Sequence, residues 1–196
     1  MKKDAVIDFE TMGTAENAVL LSVGVIAVDP DFINVEDWQE TFDTLIANGL
    51  YIKIRAENQV TQYGRTITKD TMQWWKSQGA EAQHVIQPSE ADVDISEVPG
   101  MINYYLKEHG FNGHLWTRGM IDGRWLESAC NDVGVKVTAA PWWTHRDVRT
   151  AIDILCGTEK GYLPKDLQFH PDGFIKHNAL HDCANDTIQL AIAHSI

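Results

Sequence analysis

Asp8 and Glu10 stand two residues apart at the end of an apolar run, Ala5-Val6-Ile7-Asp8-Phe9-Glu10-Thr11. Alternate side chains of a β-strand share a face, so the two carboxylates project together and Phe9 goes the other way. Two acids on one buried face repel each other and are costly to desolvate. A divalent cation, which takes several oxygen ligands, removes both penalties. Read alone, an Asp-x-Glu is more often a strand end reaching solvent, because acids are mostly exposed. The metal reading therefore needs partners elsewhere in the chain.

Two further patterns supply candidates. Asp122 follows a short apolar stretch and opens a helical pattern, with Leu126 four residues on; by itself it reads as a helix N-cap. Near the C-terminus, His177-Asn178-Ala179-Leu180-His181-Asp182-Cys183 mixes small and apolar residues with His and Asp. An Asp inside a helix is unfavourable by propensity, and such local violations mark functional sites. An exposed Asp/His face is the competing reading. Asp147, in Arg146-Asp147-Val148-Arg149-Thr150, reads as a structural helix cap.

The elements that must position these residues come from periodicity and punctuation. Residues 4–10 read as the first strand and 19–28 as its hairpin partner, ended by Asp29-Pro30-Asp31. Extended stretches are expected near residues 38–46 and 51–54, completing an antiparallel meander. Thr68 caps a helix reaching about Gln78, with Met72 and Trp75 on one side, and residues 80–86 form a second short helix. A longer helix covers 92–108, with Val98, Ile102, Tyr105 and Leu106 as its apolar stripe. A short strand at 114–119 and a short strand or extended turn at 142–144 alternate with helices at 122–133 and from Asp147 to about Leu155. Residues 157–176 read as a loop and 178–194 as the closing helix. The order predicts one α/β domain over 1–196, with a mixed five-stranded sheet, antiparallel and then parallel, flanked by helices.

Bulk properties narrow the function. The chain has 196 residues with 16 Lys and Arg against 28 Asp and Glu, a net charge of −12. Such a surface does not hold long duplex nucleic acid by electrostatics alone, although bound cations invert the field locally. No apolar run is long enough for a membrane span, and no signal peptide is evident. Cys130, Cys156 and Cys183 form no CxxC and read as reduced thiols of a cytoplasmic protein.

Taken together, Asp8-Phe9-Glu10-Thr11, Asp122 and His177-x-Ala179-Leu180-x-Asp182 resemble, in order and approximate spacing, the three motifs of the DEDDh (DnaQ-like) 3′–5′ exonucleases. Four segments resemble the DexA and exoribonuclease-like branch of that family: Ile7 to Gly13, Thr68 to Lys76, Arg146 to Thr150 and His177 to Asp186. One departure is that Ile121 precedes Asp122 where relatives carry an aromatic, in a segment about one residue shorter.

The resemblance implies an RNase H-like fold. It implies two divalent ions, Mg2+ or Mn2+, held by Asp8, Glu10, Asp122 and Asp182, with Asp8 bridging. His177 would be the general base, entering from a Gly- and Pro-containing loop. His181 is a rival, since His181 to Asp186 repeats the spacing, but that register lacks the Ala and Leu of the motif. Asp186 would then be a helix-surface or supporting acid. Thr11 and Met12 would hold the 3′-terminal nucleotide through their backbone amides and the Met12 side chain. Of Trp74, Trp75, Trp142 and Trp143, at most one is expected to stack on substrate. Arg118, Arg124, Arg146 and Arg149 form the nearest basic cluster, with solvation as the default reading.

The activity this implies is release of nucleoside 5′-monophosphates from single-stranded 3′ ends, with DNA favoured. Exoribonuclease action on RNA is the alternative, and a non-catalytic nucleic-acid-binding module or a metal-stabilised structural protein are the readings from other classes. The stretch 38–54 is a possible homodimer edge.

Overall fold

The computed structural model describes residues 2–29 and 33–196, and its sheet is built outward from β1 (Asp4–Thr11). The order is β3-β2-β1-β4-β5, with β2 (Leu20–Val28) and β3 (Leu50–Lys53) antiparallel and β4 (Leu115–Thr117) and β5 (His145–Asp147) parallel to β1. The mixed five-stranded sheet expected from the sequence is thus present. Asp4 joins the long antiparallel half to the short parallel one. Its carboxylate accepts from His114 N and from Trp116 Nε1, both at 2.8 Å.

Alternation along β1 sorts two cores. Ala5, Ile7 and Phe9 pack on one face with Ile102 and Leu106 of α5 (Val98–Glu108) and with Leu126 and Ala129 of α6 (Ile121–Val133). Val6 lies on the other face, with Val148 and Ile152 of α7 (Val148–Cys156) and Cys183, Ala184 and Ile188 of α8 (Ala179–Ser195). Asp8 and Glu10 share the parity of Val6, so they face α8. Gly24 sits opposite Asp8 in the β1–β2 register, and a Cβ there would collide with the backbone of Ala179 and Leu180. The missing side chain lets the first turn of α8 descend onto the sheet beside the carboxylates.

Several expectations are corrected. The stretch 38–46 is not a strand: it lies in helix α1 (Trp38–Asn48), capped by Asp37, which accepts from Glu40 N at 3.0 Å. Its Trp, Phe, Thr and Ile suggest β structure, but Phe42 and Leu45 lie three apart and pack on the α8 side of the sheet. It therefore supplies no sheet edge for a dimer; β3 is the edge strand on that side.

A helix the periodicity does not reveal, α2 (Ala56–Tyr63), buries only Gln59, whose side-chain amide bonds both the N–H and the C=O of Leu20. Helix α3 (Lys69–Lys76) has the Thr68 cap, but Met72 is exposed and only Trp75 goes inward. Residues 80–86 divide into α4 (Ala80–Gln83) and a 3₁₀ turn, His84–Ile86. Helix α5 starts at Val98 because Val93 is held as a bridge between Lys53 and Arg55 and Pro99 suits a first helical turn. Trp142–Thr144 is a 3₁₀ turn, and β5 follows it. The Pro30 and Asp31 of the expected strand stop lie outside the described residues. No helix of the described residues is long and apolar enough to cross a membrane.

Candidate active site

The C-terminal end of β1 opens into a cleft of about 720 Å³ lined by Asp8, Glu10, Asp122, His177, Asp182 and Asp186, among others. Three elements deliver these groups. Strand β1 brings Asp8 and Glu10. Asp122 comes from the first turn of α6 and does not cap it, since Met120 holds that position. Its Oδ1 accepts from Phe9 N at 3.0 Å, continuing the β1–β4 pairing beyond the end of β4. Asp182 comes from the first turn of α8, which is capped by Asn178 through Leu180 N and His181 N.

Burial dominates the electrostatics. Desolvation, then repulsion from Asp122, Glu10, Asp182 and Asp186, pushes the Asp8 carboxyl well above its usual range. Glu10 is raised by desolvation, then by Asp182 and Asp122. Asp122 is pushed up to about 7 by desolvation, which the Phe9 N–H only partly offsets. Asp182 is pushed up to about 7 by desolvation and then by Asp186. Ligand atoms of Glu10, His177 and Asp182 lie within 4.8 Å of one another. Carboxylate oxygens with one imidazole make a donor set that suits a divalent ion.

A pH dependence follows. Acids whose folded-state pKa is raised favour folding while protonated. That contribution is complete below the unfolded value near 4 and is lost as pH rises through about 7. Metal-free protein is expected to melt at lower temperature at pH 8 than at pH 5. A loss of about 2 kcal/mol corresponds to roughly 4–8 °C for a chain of this size. Mn2+ is expected to restore more at pH 8 than at pH 5; thermal denaturation in chelator and in Mn2+ checks it, and equal metal protection at both pH values would count against a carboxylate site.

His177 is placed by an unusual backbone. Its φ is 64°, the left-handed region that non-glycine residues seldom occupy. Its N–H donates to Asp182 Oδ2 at 3.0 Å, and its Nδ1 lies 3.9 Å from Glu10 Oε1. The Trp74 ring meets the imidazole edge-on, 4.7 Å between centroids. Burial, and then Lys176, lowers its pKa, which keeps the ring neutral near pH 7. His181 is employed elsewhere. Its Nδ1 accepts from Ile175 N at 3.0 Å, and its ring packs against Phe42 and Phe174.

Thr11 and Met12 do not line this cleft. Thr11 O accepts from Trp75 Nε1 at 2.9 Å, and Met12 N donates to Val19 O. The Met12 amide is therefore spent inside the fold, a correction to its expected part in holding substrate; its half-buried side chain packs by Leu21 and Trp75. Trp75 is core. Trp142 and Trp143 are exposed at the start of β5, the end of the parallel strands away from the carboxylates. Only Trp74 combines exposure with proximity to His177.

Asp186 is not on the surface. It is buried and paired with Arg118 at 2.7 Å. Its i, i+4 spacing from Asp182 is the signal that places it on the same helix face. Arg118 also bonds Gln189 Oε1 and Gly161 O. It thereby ties α8 to the strap of residues 157–176, which supplies Tyr162, Phe169, His170 and Phe174 to the cleft. At its other end the strap meets α1, where Gln39 bonds Asp172 N.

Comparison with known proteins bears on what such a cleft belongs to. Residues 3–193 match the family described as the Rv2179c-like 3′–5′ exoribonuclease domain. The chain belongs to that family. It is also 34% identical to the exodeoxyribonuclease of Enterobacteria phage T4, over 97% of this chain and 88% of the phage protein. Among solved structures, it resembles the nuclease domain of 3′hExo, a DEDDh member bound to rAMP, at TM-score 0.61 and 14% identity over 99% of this chain and 92% of the other. It resembles E. coli exonuclease I in complex with a dT13 oligonucleotide at TM-score 0.57 and 12% identity, over 98% of this chain and 40% of the other. The fold is thus that of the RNase H-like DEDDh nucleases, and the enzyme is a 3′–5′ exonuclease.

Proposed function

We propose that this enzyme removes nucleoside 5′-monophosphates from single-stranded DNA 3′ ends with two divalent ions, Mg2+ or Mn2+. The observation that carries the reading is the convergence of Glu10, His177 and Asp182 within 4.8 Å, in a cleft that also holds Asp8 and Asp122. Asp8, Glu10, Asp122 and Asp182 would hold the ions. Ions at such a site activate water and stabilise charge on the attacking and leaving oxygens of an in-line displacement.

The chain's own groups do the rest. His177, neutral at working pH, accepts the proton of the attacking water at a ring nitrogen. Asp182 fixes it by accepting its backbone N–H. Trp74 closes one side of the imidazole. Thr11 and Met12, which lie outside the cleft lining, would act on the terminal nucleotide only by setting the end of β1 against Trp75.

DNA is favoured by the identity with the phage exodeoxyribonuclease over nearly the whole chain. RNA is the second reading, favoured by the family description. The test is digestion of a 5′-labelled single-stranded DNA and the RNA of the same sequence in Mn2+ or Mg2+. The expected result is stepwise 3′ shortening with release of 5′-monophosphates, faster on DNA. Faster RNA shortening would reverse the substrate assignment, and products ending in 3′-phosphate would sink the mechanism.

A further inference from the structure

The chain carries a net charge of −12, yet the cleft wall holds one arginine whose side chain has no hydrogen-bond or ion-pair partner among the described residues. Of the four arginines near the motifs, three are committed. Arg118 is paired with Asp186, Gln189 and Gly161 O. Arg124 is paired with Glu16. Arg146 bonds the carbonyls of Trp143 and His145. Arg149 lines the cleft and makes no side-chain hydrogen bond or ion pair among the described residues. It is nonetheless positioned. Its Cβ and Cγ lie where a side chain on Gly161 would stand, so the strap glycine forms a seat for the arginine stem. Gly161 itself is held from both sides, its C=O by Arg118 and its N–H by Asp153.

The placement also runs against local helix electrostatics. Arg149 is the second residue of α7, and its own N–H is bonded to the cap Asp147. A cation in the first turn of a helix opposes the helix dipole. A residue that breaks a local rule, on a built seat beside a charged cleft, is expected to have a use outside the fold. Its charge is felt at Asp122 and Asp186, both of which it draws downward in pKa. Asp186 already has Arg118 as its ion-pair partner, and the exposed Arg149 has no carboxylate within ion-pair distance among the described residues.

We propose that Arg149 is a substrate-binding residue that grips, through its planar fork of N–H donors, the internucleotide phosphate next to the scissile one as the strand enters the cleft. Guanidinium groups match phosphate oxygens in this bidentate way. The ligand class is a phosphodiester of the polynucleotide being shortened. In a chain of net charge −12, such a contact gives a strand local purchase where the overall field repels it. The inference rests on the cleft being the reacting site.

The test uses Arg149→Met, which keeps the stem on Gly161 and removes the charge, and oligonucleotides carrying one uncharged methylphosphonate at the linkage next to the scissile bond. On the natural oligonucleotide, Arg149→Met is expected to lose about tenfold in kcat/KM, mostly in KM, as fits one charge-assisted contact. The wild type should lose about the same on the neutral linkage, and Arg149→Met should lose nothing more there. Arg149→Lys should recover part of the loss, and Arg149→Gln, which also removes the charge, carries the same cycle if the Met variant does not fold. Natural-substrate kinetics within twofold of wild type, or a full additional loss on the neutral linkage, would overturn the proposal. Wild-type rates in Asp8→Ala would instead overturn the assignment of the cleft.

Discussion

Replacing Asp8 with alanine is expected to cost at least about 10³-fold in kcat, the equivalent of roughly 4 kcal/mol in the barrier, while the fold persists. Asp8 is the carboxylate that most of the others oppose. After desolvation, its pKa is raised by Asp122, Glu10, Asp182 and Asp186 in turn. It is half-buried and not part of a packed apolar core, so truncation opens no sealed cavity. Losing it removes a proposed ligand of the ions and also relieves repulsion in the metal-free protein. Two readouts should therefore move in opposite directions. In chelator at pH 8 the variant should melt at or above the wild-type temperature, while Mn2+ should protect it less. Turnover within tenfold of wild type would remove Asp8 from the mechanism. A lower melting temperature in chelator would show that its charge supports the fold.

His177→Ala and His181→Ala separate two histidines that stand four residues apart. His177→Ala is expected to lose about 10²–10⁴-fold in kcat, the usual worth of a positioned general base. Its effect on melting should be small, because its ring touches mainly Trp74 and Trp75 at the edge of the cleft. His181→Ala should do the reverse. Its Nδ1 satisfies Ile175 N, and its ring fills the space between Phe42 and Phe174. Removing it leaves a partly buried N–H unpaired and a gap, a cost of about 1–3 kcal/mol, or roughly 2–12 °C in Tm. Steady-state kinetics and thermal melts on both variants check this. Equal kinetic losses would mean that the ring at position 177 has no special part in proton transfer.

The sequence by itself determined the strand that carries Asp8 and Glu10, because period-two alternation puts Ile7 and Phe9 on one face and the acids on the other without any distant contact. It also determined the start of α8 and hence the turn that carries Asp182, because Asn178 caps the helix through bonds only two and three residues away. Local patterns misled where tertiary packing outweighed propensity. Residues 38–48 carry strand-forming side chains yet form a helix, because Phe42 and Leu45 reach the core only at helical spacing. Polar α2 has no apolar period to read and exists because Gln59 supplies both partners to Leu20, 39 residues away.

The site's finer logic was decided by the tertiary structure alone. Asp122 looked like a cap and instead bonds Phe9 N across 113 residues. Asp186 could be read as a surface acid or a supporting one, and its pairing with Arg118 across 68 residues makes it the latter. The two histidines share one sequence pattern, and only the packing of α1 and the strap assigns His181 to the fold and leaves His177 in the cleft. Side-chain periodicity fixes which face a residue takes. Which distant group meets it there depends on chain crossings, and those are set by close approaches such as Gly24 beneath α8 and Gly161 beneath Arg149.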